Sequence, residues 1–284
     1  MADFLGRDQS PLTDDQWAAF DETVVSVAHR TLVGRRLISM FGPLGPGAQV
    51  APNDVFLGRN EGVVDTLGEE VCDEIRAGDR RYLPLPIIHK DFMFHWRDLA
   101  AAGESGLPLD TGAVASAAAY CARSEDELIF RGNADLGYSG LLNMPDHLEV
   151  RGTDWDGMGN AFRDVVAAAE QLASSGFPGP FALAVSTRLY VAMNRMFENT
   201  GVLEIDQIKK IVAAGVFVSP VIGQSSAVVV ATGPENLDLV VGVDMTTAYI
   251  ESSRMNHHFR VLETLVLRIK RPEAICVITA GPEA

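Results

Sequence analysis

The order of apolar and polar positions predicts an amphipathic helix over residues 14–36. Largely apolar positions recur every three or four residues and form one stripe: Trp17, Phe20, Val24, Val27, Ala28 and Thr31. Thr13 fits the N-cap position, and Gln16 completes a capping box with it. Gly34 is expected to end the helix, because glycine is common just beyond a helix C-terminus.

A period of two then predicts a half-buried strand over residues 86–98, followed by a loop over 100–112. One face of this strand carries Ile88, Lys90, Phe92, Phe94 and Trp96. Helical spacing or helix-favouring composition predicts further helices over residues 113–130, 156–174, 187–196 and 204–214. A buried strand is expected at 181–186. The last third contains β-branched runs separated by turns, so the fold class is α+β.

Residues 42–81 form the least patterned stretch. It opens with GPLGPG at 42–47, where prolines and glycines rule out regular structure, and then continues with mixed polarity. A long segment of this kind in a compact fold is typical of an extension that contacts a partner or carries function.

Composition and charge narrow the function classes. The chain has 284 residues with a formal net charge of −15, which disfavours nucleic acid and anionic membranes as partners. The N-terminus has no basic region followed by an apolar run, and the most apolar stretch, 225–232, is too short to cross a membrane. Three scattered cysteines, Cys72, Cys121 and Cys276, fit burial in a reduced cytoplasmic protein.

No motif for catalysis or metal binding emerges. The chain has no GxSxG elbow, no phosphate-binding P-loop and no HExxH helix. The adjacent His257 and His258 would point to opposite faces of a strand, and TDWDG at 153–157 is better explained as the cap of a helix than as a calcium loop. We therefore expect no catalytic residues and no metal site.

Two further features have a structural and a functional interpretation. Glu125, Asp126 and Glu127 could act in acid–base chemistry, but consecutive carboxylates point around a helix, which favours solvated or interface ion pairs and a Glu127–Arg131 pair. Trp96 could stack a planar cofactor such as a flavin, although packing against the core or a neighbouring chain is the favoured alternative.

Several blocks, in order along nearly the whole chain, resemble the encapsulin family. They are FLGRDQSPLTDDQW (4–17), LVGRR (32–36), GPLG (42–45), EDELIFRGN (125–133), GLLN (140–143), FPGPFALAVS (177–186), VVGVDMTTAY (240–249) and FRVLETLVLRIKRPEA (259–274). The resemblance implies an HK97-type phage-capsid fold. Its parts would be an N-terminal helix and arm (1–41), an extended loop (42–81), a peripheral domain (82–132 and 224–284) and an axial domain (133–223).

The resemblance also implies a non-enzymatic shell. Copies of the chain would form an icosahedral homo-oligomer of sixty copies or a multiple, a cytoplasmic nanocompartment that encloses a cargo enzyme through a targeting peptide at the cargo's C-terminus. A ferritin-like iron-storage cargo that limits oxidative stress is preferred, and a dye-decolorising peroxidase comes next. The family positions that bind this peptide match Val24, Val27, Ala28, Leu32 and Arg35, and the apolar stripe of the first helix suits an extended peptide.

The tip loop that surrounds the five-fold pore of such shells matches Glu198, Asn199, Thr200 and Gly201. Glu198 would bias that pore toward cations. Three alternatives remain open at this point: a phage or prophage major capsid protein, a peptidase or bacteriocin, and a shell that binds a flavin at Trp96.

Overall fold

A computed structural model describes residues 4–57, 62–105, 108–197 and 201–281 of the chain. The helices are α1 (Asp14–Thr31), α2 (Gly34–Leu37), α3 (Trp96–Ser105), α4 (Gly112–Arg131), α5 (Asn160–Ser174), α6 (Thr187–Met193) and α7 (Glu204–Ile211). The strands are β1 (Ser39–Phe41), β2 (Val50–Leu57), β3 (Arg76–Pro84), β4 (Ile87–Phe94), β5 (Gly132–Asn133), β6 (Tyr138–Ser139), β7 (Leu148–Arg151), β8 (Phe181–Val185), β9 (Met196–Phe197), β10 (Val202–Leu203), β11 (Gly215–Val218), β12 (Ser226–Ala231), β13 (Leu237–Ser253), β14 (Asn256–Ile269) and β15 (Ile275–Thr279).

Two sheets organise these elements. A four-stranded sheet has the order β1-β13-β14-β4 and is built on the long antiparallel β13–β14 hairpin. A five-stranded mixed sheet has the order β11-β8-β12-β15-β7. Within residues 224–284, β12 and β15 pair with each other and with β8 and β7 rather than with β13 and β14.

Three large apolar clusters form the core. One lies between the five-stranded sheet and α5, α6 and α7, and includes Leu172, Leu183 and Val229. The second joins both sheets, since it contains Val228 of β12 together with Leu239 of β13. The third lies where α1 and α4 cover the four-stranded sheet. In this third cluster Phe20 stacks on Phe94 with ring centroids 5.5 Å apart.

The first helix is confirmed, except at its end. The capping box between Thr13 and Gln16 is present, and the buried face carries Trp17, Phe20, Val24 and Val27. The helix ends at Thr31, because Leu32 adopts an extended conformation. Gly34 therefore does not end α1; it begins the short helix α2.

The segment 42–81 contains a two-stranded ribbon rather than an irregular extension. Strands β2 and β3 pair antiparallel from Val50 opposite Pro84 to Leu57 opposite Arg76. Beyond them, Val64 and Val71 are 97% and 96% exposed. Apolar side chains exposed in the segment between the two strands are an unfavourable surface for an isolated subunit.

Two element boundaries differ from the prediction. The strand ends at Phe94, and α3 occupies residues expected to form the end of that strand and the start of a loop. Trp96 therefore does not share the inward face of Phe92 and Phe94. Likewise TDWDG does not cap α5, whose N-cap is Gly159; it forms a turn in which Trp155 is buried and its indole N–H donates to Asp164.

The cysteines are free thiols, and two of the three are buried as expected. Burial raises the pKa of Cys121 and of Cys276 to about 12, so both are inert thiols. Cys72 is exposed, contrary to the expectation, because it lies in the segment beyond the β2–β3 ribbon.

Candidate functional site

A groove runs along the C-terminal half of α1. It has a volume of about 410 Å³ and lies between α1, α2, β1 and a bend in β13. Its lining residues are Val24, Val25, Ala28, His29, Leu32, Arg35, Arg36, Met40, Asp244 and Met245. Four of the five predicted peptide-contacting residues, Val24, Ala28, Leu32 and Arg35, thus lie at one site.

The fifth predicted residue, Val27, is not among the lining residues. Its side chain is buried in the cluster between α1, α4 and the four-stranded sheet. Val27 lies three residues after Val24 on the core-facing stripe of α1, and that face is already covered by the chain itself. Ala28 borders both faces, and its small side chain leaves space that a larger residue would fill.

Arg35 does not present a free guanidinium to the groove. Its Nε and Nη2 donate to the two carboxylate oxygens of Glu125 at 2.7 and 2.8 Å. Nη2 also donates to Glu263 at 2.8 Å, and Nη1 donates to Asp244 at 2.6 Å. Although burial opposes it, these carboxylates raise the pKa of Arg35, and its side chain is only 14% exposed. Arg35 therefore joins neighbouring elements beneath the groove wall through ion pairs.

Two of the three acidic residues on α4 are buried within the subunit, which corrects for them the expectation of solvated or interface ion pairs. Glu125 and Asp126 are both inaccessible to solvent, because α1, α2 and β14 pack around this end of α4. Asp126 accepts hydrogen bonds from the backbone N–H groups of Val33 and Gly34. Burial is the main cause that raises the pKa of Asp126 to about 6.

The remaining member of that acidic cluster behaves as an ordinary surface residue. Glu127 is exposed, as expected for a solvated carboxylate. It pairs with Arg123 one turn earlier at 3.1 Å, so the predicted Glu127–Arg131 pair is wrong.

Sequence reasoning missed the far wall of the groove. Met40 lies on β1, which pairs in parallel with β13, and Asp244 and Met245 lie where the β13–β14 register shifts between Val243 and Thr246. The N–H of Met245 donates to the Asp244 carboxylate at 2.8 Å. A register shift of this kind arises from pairing between distant strands and leaves no local signal.

A larger cavity of about 790 Å³ lies at the base of the β2–β3 ribbon. Two of its cationic side chains are already engaged: Arg268 and Lys270 both bind the buried Asp238 at 2.7 Å. These two cationic side chains are therefore not free to bind a ligand in the cavity.

The other predicted site residues lie apart from the groove. Glu198, Asn199 and Thr200 are outside the described residues, and Gly201 is exposed with a φ of 71° next to the β9–β10 pair. Trp96 is 38% exposed, and the Arg97 guanidinium lies 5.3 Å from its ring centre. Within the described ranges no cluster of three metal-ligating side chains occurs.

One observation concerns membranes. No helix of the described part of the chain is long and apolar enough to cross a bilayer.

Comparison with known proteins places the molecule in a family. Residues 2–266 match the family model described as "Encapsulating protein for peroxidase". The chain is 48% identical over 278 residues to the type 1 encapsulin shell protein EncA of Myxococcus xanthus, covering 98% of this chain and 97% of that one.

Solved structures show the same fold. A virus-like particle from Pyrococcus furiosus aligns with a TM-score of 0.74 at 21% identity, over 93% of this chain and 98% of that chain. The capsid of Myoviridae phage XM1 aligns with a TM-score of 0.62 at 11% identity, over 87% and 90% of the two chains. The α+β fold is therefore the HK97-type capsid fold.

The identity to the Myxococcus shell protein is far higher than that to the phage capsid, so the phage-capsid alternative is not favoured. The family is structural, which removes the peptidase and bacteriocin alternatives. The fold, the family match and the near full-length identity agree: this chain belongs to the encapsulin shell-protein family and is not an enzyme.

Proposed function

We propose that copies of this chain assemble into a closed icosahedral shell in the cytoplasm, with sixty copies or a multiple, and that the α1 groove binds a peptide at the C-terminus of a cargo protein. The groove is the observation that carries this proposal. An apolar floor of Val24, Ala28 and Leu32 beside a wall that contains Met40 and Met245 suits the side chains of an extended peptide.

The exposed segment between β2 and β3 supports assembly. Val64, Leu67, Val71 and Ile75 are all largely exposed, and burying them against neighbouring copies would remove an apolar surface from water. Repeated heterologous contacts of this kind close into a shell when the rotation between copies closes.

The two sheets would correspond to the two domains of the shell subunit. The four-stranded sheet with α1 and α4 is assigned as the peripheral domain. The five-stranded sheet with α5, α6 and α7 is assigned as the axial domain, and it takes β12 and β15 from the C-terminal region. Glu198 to Gly201 would line the five-fold pore at the tip of the axial domain.

A ferritin-like iron-storage protein is proposed as the cargo, with a dye-decolorising peroxidase as the second candidate. Iron content and peroxidase activity of shells purified from the native host distinguish the two. A shell that holds one of these cargoes at many wall sites needs only a modest affinity for each peptide.

Assembly is tested with the protein expressed alone, by size exclusion and negative-stain electron microscopy. Uniform closed particles are expected. A monomer or small oligomer at every salt concentration and pH would contradict the shell.

The groove is tested by Ala28→Leu, which fills the space beside Leu32. Shells should still form, and the amount of cargo that co-purifies from the native host should fall severalfold. Ala19→Leu, an exposed position on the same helix outside the groove, is the matched control and should leave cargo unchanged. Equal cargo in both variants would show that the groove does not bind it.

A further inference from the structure

One guanidinium meets three carboxylates beneath the groove. Arg35 of α2 contacts Glu125 of α4, Glu263 of β14 and Asp244 of β13. The side chains of Glu125 and Glu263 have no exposed surface, whereas Asp244 is 58% exposed at the groove rim. Four separate elements thus meet at a single side chain.

The charges at this junction do not balance. Two fully buried carboxylates face one buried cation, and the third carboxylate adds a further negative charge. The other charged groups nearby are Asp126 on α4, Arg36 on α2, which acts on Asp126, and Lys90 and Asp91 on β4, which act on Cys121. An unbalanced buried charge is far more costly than a buried neutral carboxyl group.

The two oxygens of the Glu263 carboxyl group have different surroundings. Its Oε2 accepts from Arg35, whereas its Oε1 is buried and has no hydrogen-bond partner among the described residues. A buried ionised oxygen without a donor is far more costly than the oxygen of a neutral carboxyl group. Burial, and then the charge of Glu125, raise the pKa of Glu263 well above its ordinary value, in the same direction as this geometry.

We propose that Arg35, Glu125 and Glu263 form a positioning unit that retains one proton on Glu263 and so holds Asp244 at the rim of the groove. Arg35 then acts on the bound peptide through Asp244 and not by contact. The neutral Glu263 leaves Arg35 balanced by Glu125 while Nη1 remains bound to Asp244.

Loss of the proton changes the groove. A second buried negative charge would draw the guanidinium inward or admit water, and either change weakens the bond between Arg35 and Asp244. Since the pKa of Glu263 is raised in the folded protein, the stabilisation it provides is complete below its ordinary value of 4.5. That stabilisation is lost as the pH rises through the raised value. Cargo retention should therefore fall on the alkaline side. The predicted effect on cargo rests on the proposed function, whereas the prediction of a retained proton does not.

The proton is tested by infrared spectroscopy of cargo-free shells. Wild-type shells at neutral pH should show the carbonyl stretch of a buried protonated carboxyl group, and this band should disappear at alkaline pH. Glu263→Gln should lack the band, and Glu127→Gln, an exposed carboxylate on the same helix as Glu125, should keep it. If Glu263→Gln fails to assemble, Glu125→Gln makes the same prediction. A wild-type spectrum without the band overturns the proposal.

The coupling between this proton and cargo binding is tested by measuring how much cargo the shells retain across the same pH range. Wild-type shells should lose cargo severalfold as the band disappears, and Glu263→Gln shells should retain cargo throughout, because glutamine stays neutral. If cargo retention by Glu263→Gln shells depends on pH in the same way as in the wild type, the coupling is overturned. Shells that show the band but bind no cargo at any pH contradict the proposed function alone.

Discussion

The backbone N–H of Gly34 donates a hydrogen bond to the carboxylate of Asp126 at 2.9 Å, across 92 residues of sequence. This bond fixes the short connection between α1 and α2 on the side of α4. It brings the α2 backbone so close to α4 that a Cβ atom at position 34 would lie 2.5 Å from Cδ1 of Ile129. Glycine is thus required here for close approach, not to end a helix.

Replacing Gly34 by alanine should destabilise the fold. Ile129 is fully buried and cannot move away freely, so we expect a loss of about 1–3 kcal/mol in the free energy of unfolding. Urea denaturation of the purified protein measures it. Gly47→Ala is the control, since its Cβ would meet no atom within 4 Å, and it should be neutral or slightly stabilising. Equal stability of the two variants would contradict the close-approach argument.

Replacing Asp126 by asparagine should change how stability depends on pH. Burial raises the pKa of Asp126 from 3.8 to about 6, so the stability that this group provides is complete below 3.8 and is lost as the pH rises through about 6. We expect the wild type to lose up to about 3 kcal/mol relative to Asp126→Asn between these limits. Urea denaturation of both proteins at several pH values measures the difference. A difference that stays constant across the range would show that Asp126 does not titrate there.

Replacing Val71 by lysine should impair assembly without unfolding the subunit. Val71 is almost completely exposed in a single chain, so the variant loses nothing within the subunit, and a charge would be buried in the proposed contact between copies. Size exclusion should show small oligomers with an unchanged circular dichroism spectrum. Thr66→Lys adds the same charge at an exposed polar position of the segment and should assemble better. Normal shells from Val71→Lys would exclude this side chain from the contacts.

Replacing Trp96 by alanine should leave the visible absorbance of the shell unchanged. The Arg97 guanidinium already lies over the ring of Trp96, and His95 lies beside it with ring centroids 5.8 Å apart. Because Arg97 already covers the ring, this arrangement does not favour a stacked flavin. Absorbance spectra of purified wild-type and variant shells provide the test. A yellow wild type that becomes colourless in the variant would instead assign a flavin to this position.

Local patterns predicted the parts of the molecule that depend on neighbouring residues. The capping box of Thr13 and Gln16 and the stripe from Trp17 to Val27 are determined within a few turns of helix, and both are confirmed. The boundaries of α4 were likewise within one residue at each end. The amphipathic spacing itself identified the core-facing side of α1, and the groove lies along the edge of that side at Val24 and Ala28.

The junction beneath the groove could not be predicted in the same way. Arg35 meets Glu263 across 228 residues, so no periodicity connects them. Glu125 and Asp126 looked solvated because consecutive acidic residues on a helix usually are, and their burial depends on the packing of α1, α2 and β14. Arg35 and Glu125 do fall in LVGRR and EDELIFRGN, two blocks that carry the family resemblance. The resemblance thus marked these residues before any physical role was evident.

The position of β15 in its sheet has a consequence for synthesis of the chain. Strand β7 is formed by residues 148–151, yet its partner in the described sheet is β15, residues 275–279, which also separates it from β12. The five-stranded sheet therefore keeps a gap between β12 and β7 until residues 275–279 have been synthesised. A nascent chain that has not yet reached β15 cannot complete this sheet.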